Sequence, residues 1–158
     1  MSRQRSDEQP ARIHLGVSGI LVRDGRVLLG KRASTESYPG MFCTPGGGVN
    51  HQEKLEDALK REWMEETHLT VTRTSIGHGF VSVQEKFNIQ AGRHTIILFY
   101  AVEVEGNAEP TITDEFSEYV WFPMRMLGKE NFEITPPSLA ALKDFYNHYY
   151  GQPIFTTT

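Results

Sequence analysis

Three glutamates, Glu62, Glu65 and Glu66, stand three and four residues apart within GGGVNHQEKLEDALKREWMEETHL (46–69). The stretch reads as a glycine run followed by a helix over about residues 53–67. At helical pitch, Glu66 lies about 40° round from Glu62 and Glu65 about 60° the other way, so the three carboxylates share one face. Leu55, Ala58, Leu59 and Leu69 fall on much the same stripe, which is the face expected to pack inward. Carboxylates that continue an apolar stripe are costly unless a cation meets them there. A divalent metal is the obvious candidate.

The elements that must position these groups follow from the rest of the chain. Residues 1–11 are polar and read as a flexible terminus, 12–150 as a single domain, and 151–158 as an extended tail. IHLGVSGILV (13–22) reads as a strand, Asp24-Gly25 as a hairpin turn and RVLLGKR (26–32) as the returning strand. A loop over 33–42 leads through Cys43-Thr44-Pro45 into the glycine run. Beyond Leu69 a strand broken near Gly77–Gly79 is expected, then a turn over 88–93. HTIILFYAVEVE (94–105) is the clearest strand of the chain. An acidic loop, the strand EYVWFP (118–123) and a last helix with Pro137 in its first turn complete the order. Strands, helix, strands, helix indicate an α/β (α+β) fold, a mixed β-sheet between helices.

Composition narrows the chemistry. The 158 residues are 39% apolar, enough for a packed core. A net charge of −4 leaves no footprint for double-stranded nucleic acid or an anionic membrane. The single cysteine, Cys43, excludes an internal disulfide and a multi-thiolate zinc site. It reads as a small core residue. No apolar run approaches a membrane span, and MSRQRSDEQPAR has no apolar core of a signal peptide, so a cytoplasmic location is expected. Gly25 to Lys31 mimics a phosphate-loop spacing. However, Arg32 stands where Ser or Thr would hold magnesium, and Val27-Leu28-Leu29 wants to be a buried strand.

Gly47, Glu53 and the run Arg61-Glu62-Trp63-Met64-Glu65-Glu66-Thr67-His68-Leu69 together resemble the signature of the Nudix (MutT-like) hydrolases. Every charged position matches. His68 replaces the usual second glycine, and Asn50 and Gln52 replace a frequent Glu and Gly in the connecting loop. A left-handed helix end is easiest for glycine, so His68 costs ~1 kcal/mol or reshapes the helix end. The resemblance implies a Nudix-type α/β/α sandwich and a Mg²⁺ (or Mn²⁺) site built from Glu62, Glu65, Glu66 and the Gly47 carbonyl. It further implies that Arg61 orients the glutamates and that Glu53 braces Arg61. The general base in such enzymes is a signature glutamate or an acidic residue on a later loop, here Glu115 or Glu118.

Phosphate partners are expected on strands facing the signature: Lys31 and Arg32 at a strand end, with Arg12 behind them. Tyr38, Phe42, Phe80 and Trp121 offer stacking surfaces, Phe42 foremost because it stands just before the glycine loop. The implied activity is hydrolysis of a nucleoside diphosphate-linked substrate by water attack at phosphorus. A nucleoside triphosphate split to monophosphate and pyrophosphate is favoured. A nucleotide-sugar hydrolase is the alternative, and a silent nucleotide-sensing module a third reading. Retention of all the signature glutamates favours attack at phosphorus over attack at a sugar carbon. Specificity is expected from the 33–42 and 80–93 loops. The apolar strand 95–104 and the Ile154-Phe155 tail could serve a homodimer.

Overall fold

A computed structural model of the chain describes residues 12–34, 37–77, 79–129 and 132–152. The expectations for 1–11 and for the Ile154-Phe155 tail lie outside the described residues. The described residues form nine strands and two α-helices: β1 (Ile13–Ile20), β2 (Val22–Arg23), β3 (Arg26–Arg32), β4 (Phe42–Cys43), β5 (Gly46–Gly48), α1 (Leu55–Thr67), β6 (Val71–Thr74), β7 (Val81–Asn88), β8 (Arg93–Val104), β9 (Phe116–Pro123) and α2 (Pro136–His148).

The strands divide between two hydrogen-bonded sheets rather than forming one. In the first, β5, β1, β8 and β6 lie in order, and β7 also pairs with β8. β1 and β8 run parallel, and every other pairing in this sheet is antiparallel. In the second, β3 pairs with β2, β4 and β9, all antiparallel. The segment 13–22, expected as one strand, is interrupted at Leu21. That residue lies in neither ladder, and its carbonyl accepts the Leu28 N–H at 3.0 Å. The chain thus passes from one sheet straight into the next. Asp24 and Gly25 make the hairpin turn, with φ of 52° and 74°.

Both faces of the strands are buried. Val27 and Leu29 of β3 join Phe99 and Ala101 of β8 in a core beneath α2, whereas Leu28, Tyr100 and Val102 join a second core beneath α1. Two-sided burial explains why β3 and β8 read as continuous apolar runs rather than alternating ones. In α1 the inward stripe is Ala58, Leu59 and Trp63, all at 0% exposure. Trp63, one turn beyond Leu59, belongs to this stripe although the leucines draw the eye first. Its Nε1 donates to the Pro45 carbonyl at 3.0 Å. Its ring crosses β1 so closely that a Cβ on Gly19 would lie 2.5 Å from Nε1. The helix is therefore locked against the strand that carries the glycine run beside it.

Candidate active site

The site begins where β5 pairs with β1, Gly47 opposite Val17. This places the glycine run against the C-terminal half of α1. A Cβ on Gly47 would lie 2.3 Å from Glu62 Cδ, so only glycine lets that carboxylate reach the strand. Gly46 donates its N–H to Glu66 Oε2 at 3.0 Å. The helix then ends as a glycine-terminated helix would. His68 adopts φ 60°, ψ 20°, and its N–H bonds the Met64 carbonyl at 3.1 Å. Gln52 likewise takes φ 62° in the connecting loop. Neither replacement reshapes the segment; each accepts the left-handed conformation instead.

Arg61 is the hub. Its Nε and Nη2 grip the Glu53 carboxylate at 2.7 and 2.9 Å, a bidentate fork. Nη2 also donates to the Gly48 carbonyl and Nη1 to Glu62 Oε1, both at 2.8 Å. Glu53 accepts the Asn50 N–H as well. The Arg61 hydrogen bonds, helped by that N–H, hold the Glu53 carboxyl down at about 2. The same two glutamates push the guanidinium's pKa up.

Glu62 and Glu66 show the opposite behaviour. Burial raises the proton affinity of Glu62 despite the hydrogen bond and charge of Arg61, and the charges of Glu65 and Glu115 push the same way. Glu66 is 3% exposed, and its pKa rises well above the usual carboxylate range. Burial is the main cause, followed by a side-chain hydrogen bond and charge repulsion from Glu115. Among the described residues Glu66 has no cationic partner. Thr113 Oγ1 and the Tyr119 hydroxyl both donate to the Glu66 backbone carbonyl. Those contacts fasten the acidic loop that carries Glu115 to the end of α1.

These groups line a cavity of about 830 Å³. Gly47, Glu62, Glu66 and Glu115 supply its acidic wall, while Arg32, Lys86 and Arg93 bring positive charge to the same space. A buried hydroxyl cluster ties the cavity wall together. Ser18 Oγ lies 2.6 Å from Thr44 Oγ1 and donates to the Pro45 carbonyl, while the Thr44 N–H donates to Ser138 Oγ at 3.3 Å. Such a space suits a ligand of nucleotide size with polar anchors.

The sequence comparison agrees with this geometry. The family model described as NUDIX domain matches residues 12–144. The chain belongs to the Nudix hydrolase family. It is 30% identical over 132 residues to a nucleoside triphosphatase NudI of Escherichia fergusonii, covering 80% of this chain and 94% of that one. A NudI of Escherichia coli O139:H28 is 32% identical over 110 residues, covering 66% and 78%. The crystal structure of a MutT NUDIX hydrolase from Burkholderia pseudomallei superposes with a TM-score of 0.71 at 27% identity, covering 84% and 97%. A MutT protein from Methanosarcina mazei gives the same TM-score at 19% identity, a likeness of fold. Mixed sheets with two helices are thus the Nudix architecture.

The structure sorts the expected site residues of this Nudix hydrolase. Glu53, Arg61, Glu62, Glu66 and Gly47 are brought together. Glu65, about 100° round the helix from Glu66, turns outward. Its side chain is 54% exposed and stands 3.4 Å from Arg61, outside the cavity wall. Both late-loop candidates are exposed, but Glu115 lines the cavity, whereas Glu118 lies on β9 opposite Lys31, outside its wall. Arg32 lines the cavity and Lys31 does not, because neighbouring strand residues point to opposite faces. The Lys31 ammonium sits over the Phe42 ring instead. Phe42 itself is a correction to the stacking expectation: it is 8% exposed in the α2-side core, stacked on Phe132 at 4.3 Å. Arg12 is exposed at the start of β1, outside the wall. Phe80 is core, and Trp121 bonds Glu109 beneath Arg23. Cys43 is buried and lines the cavity. Burial pushes its thiol to about 11, so it stays protonated and unreactive.

Lys86 and Arg93 escaped the sequence reading. Along β7, Ser82, Gln84 and Lys86 share one face, opposite Val81, Val83, Glu85 and Phe87; that period of two points to Lys86, and nothing comparable points to Arg93 at the start of β8.

Among the described residues no three acidic, histidine or cysteine side chains converge into a ready-made metal cage. A hard divalent cation such as Mg²⁺ does not need one. It takes one or two carboxylates, keeps waters and shares substrate phosphates. Glu62 and Glu66, both raised in proton affinity by burial and neighbouring negative charge, are the donors such an ion would relieve. The donor set fits.

Proposed function

We propose that the chain hydrolyses nucleoside triphosphates to the monophosphate and pyrophosphate, with a divalent cation, Mg²⁺ or Mn²⁺, by water attack at phosphorus. The observation that carries this reading is the meeting, in one cavity, of the Glu62–Glu66–Glu115 acidic wall with Arg32, Lys86 and Arg93. The likeness to NudI, named a nucleoside triphosphatase, supports the choice of substrate.

Glu62 and Glu66, with the Gly47 carbonyl, would hold the cation. When bound, it neutralises phosphate oxygens and makes a water easier to deprotonate. The chain's own residues do the rest. Arg61, clamped by Glu53, keeps Glu62 from turning away from Gly47. Arg32 meets the polyphosphate as a planar donor, and Lys86 and Arg93 add charge. Glu115 takes the proton of the attacking water as general base, held beside Glu66 by the Thr113 and Tyr119 hydrogen bonds to the helix end. The new P–O bond forms as the bridge to the leaving pyrophosphate breaks.

The test is a panel of nucleoside triphosphates and nucleotide sugars with Mg²⁺, reading phosphate after a pyrophosphatase or phosphatase step. Pyrophosphate release from triphosphates is expected. Release of sugar phosphate alone would move the assignment to nucleotide sugars, and binding without turnover would refute an enzyme of either kind.

A further inference from the structure

Tyr38 lines the same cavity with a backbone φ of 52°. A bulky side chain adopts that left-handed conformation only where its surroundings impose it, and such residues gather at ligand clamps. Here the surroundings are explicit. Arg32 N–H donates to the Met41 carbonyl at 2.8 Å, Gly40 N–H returns to the Arg32 carbonyl, and Met41 N–H closes the turn on the Tyr38 carbonyl. The Arg32 guanidinium grips Ser37 at its carbonyl and, at 3.1 Å, its hydroxyl. Lys86 reaches across from β7 to Ser37 Oγ at 2.7 Å, with its ammonium 5.0 Å from the Tyr38 ring centroid.

A purely structural turn would favour Gly or Asn at this position, since either takes φ > 0 with less strain. Nor is the ring repaid by burial in a core, for Tyr38 is only half-buried. What the turn achieves is a phenol ring at the wall of a charged cavity, with Lys86 against the ring and Arg32 holding the neighbouring Ser37. We infer that Tyr38 is a stacking platform for the nucleobase of the substrate, with Lys86 against its ring and Arg32 anchoring the turn through Ser37. The inference rests on the nucleotide-hydrolase reading for its substrate class. It holds for any nucleotide, whatever group leaves.

The experiment compares the full chain with Tyr38→Gly, Tyr38→Phe and Tyr38→Trp. Glycine suits the left-handed backbone, so Tyr38→Gly removes the ring without breaking the turn; thermal melting checks that the fold is kept. Stacking on an aromatic ring is worth enough that KM for nucleoside triphosphates should rise about tenfold or more in Tyr38→Gly, with kcat within about twofold. Phe and Trp should keep a KM near that of the parent. Inorganic tripolyphosphate, which has no ring, should inhibit parent and Tyr38→Gly equally. An unchanged KM in Tyr38→Gly, or an equal loss of tripolyphosphate inhibition, overturns the proposal. A parent that turns over no nucleotide refutes the activity instead. Binding of nucleoside monophosphates then decides the ring: weaker binding by Tyr38→Gly supports stacking, and equal or absent binding overturns it.

Discussion

Gly47→Ala tests the centre of the site with a single methyl group. The added Cβ would lie 2.3 Å from both Cδ and Oε2 of Glu62 and 2.6 Å from Oε1. Ordinary contact needs about 3.5 Å, so the carboxylate must retreat by roughly 1 Å. Gly47 has no left-handed backbone, so the methyl itself brings no conformational strain. What gives way is the end of a side chain whose Oε1 accepts the 2.8 Å bond from Arg61. Weakening that partly exposed, charge-assisted bond should cost ~1 kcal/mol, a fall in Tm of about 2–4 °C for a chain of this size. The kinetic effect should be larger. A misplacement of about 1 Å at a catalytic group can cost on the order of 10²-fold in rate. Gly48→Ala is the control, because its Cβ would meet nothing within 4 Å. Melting curves and kcat/KM on the best substrate of the panel provide the readout. If Gly47→Ala turns over like Gly48→Ala, the position of the Glu62 carboxylate does not matter and the proposed site is wrong.

Three further outcomes follow from the same geometry. Glu66→Gln should abolish turnover yet stabilise the metal-free fold. An acid whose folded pKa is raised loses stability as pH climbs through its unfolded value of about 4.5 toward the folded one. The melting advantage of Glu66→Gln should therefore be absent near pH 3 and grow above about pH 4.5; a pH-independent advantage would contradict the buried charge. Glu115→Gln should lower kcat by on the order of 10²-fold, whereas Glu118→Gln, outside the cavity wall, should leave it unchanged, and equal effects would remove Glu115 as base. His68→Gly should gain up to ~1 kcal/mol in urea unfolding with activity retained, because φ 60° favours glycine. A loss of stability would mean that the imidazole makes contacts that outweigh its strain.

Much of this was legible in the residues because it is local. The bounds of β3 and the Asp24-Gly25 turn follow from turn chemistry and apolar runs, both short-range effects. The 3.6-residue period placed Glu62, Glu65 and Glu66 on one helix face, and the resemblance to the Nudix signature joined Arg61 and Glu53 to them. Even the departures at Gln52 and His68 were readable as backbone questions, and both resolved in favour of the glycine-like conformation.

The sequence by itself therefore determined the helix, the spacing of its acids and the glycine that lets one of them reach a strand. Only the tertiary structure decided which groups share the cavity. Strand alternation, a helix-face angle and core packing separated Arg32 from Lys31, Glu66 from Glu65, and Tyr38 from Phe42. Lys86, Arg93 and Glu115 come from β7, β8 and a loop far along the chain. Their meeting with α1 depends on β1 pairing parallel with β8, a register set by both buried faces at once. No local pattern encodes that register, because it is a property of the assembled sheets.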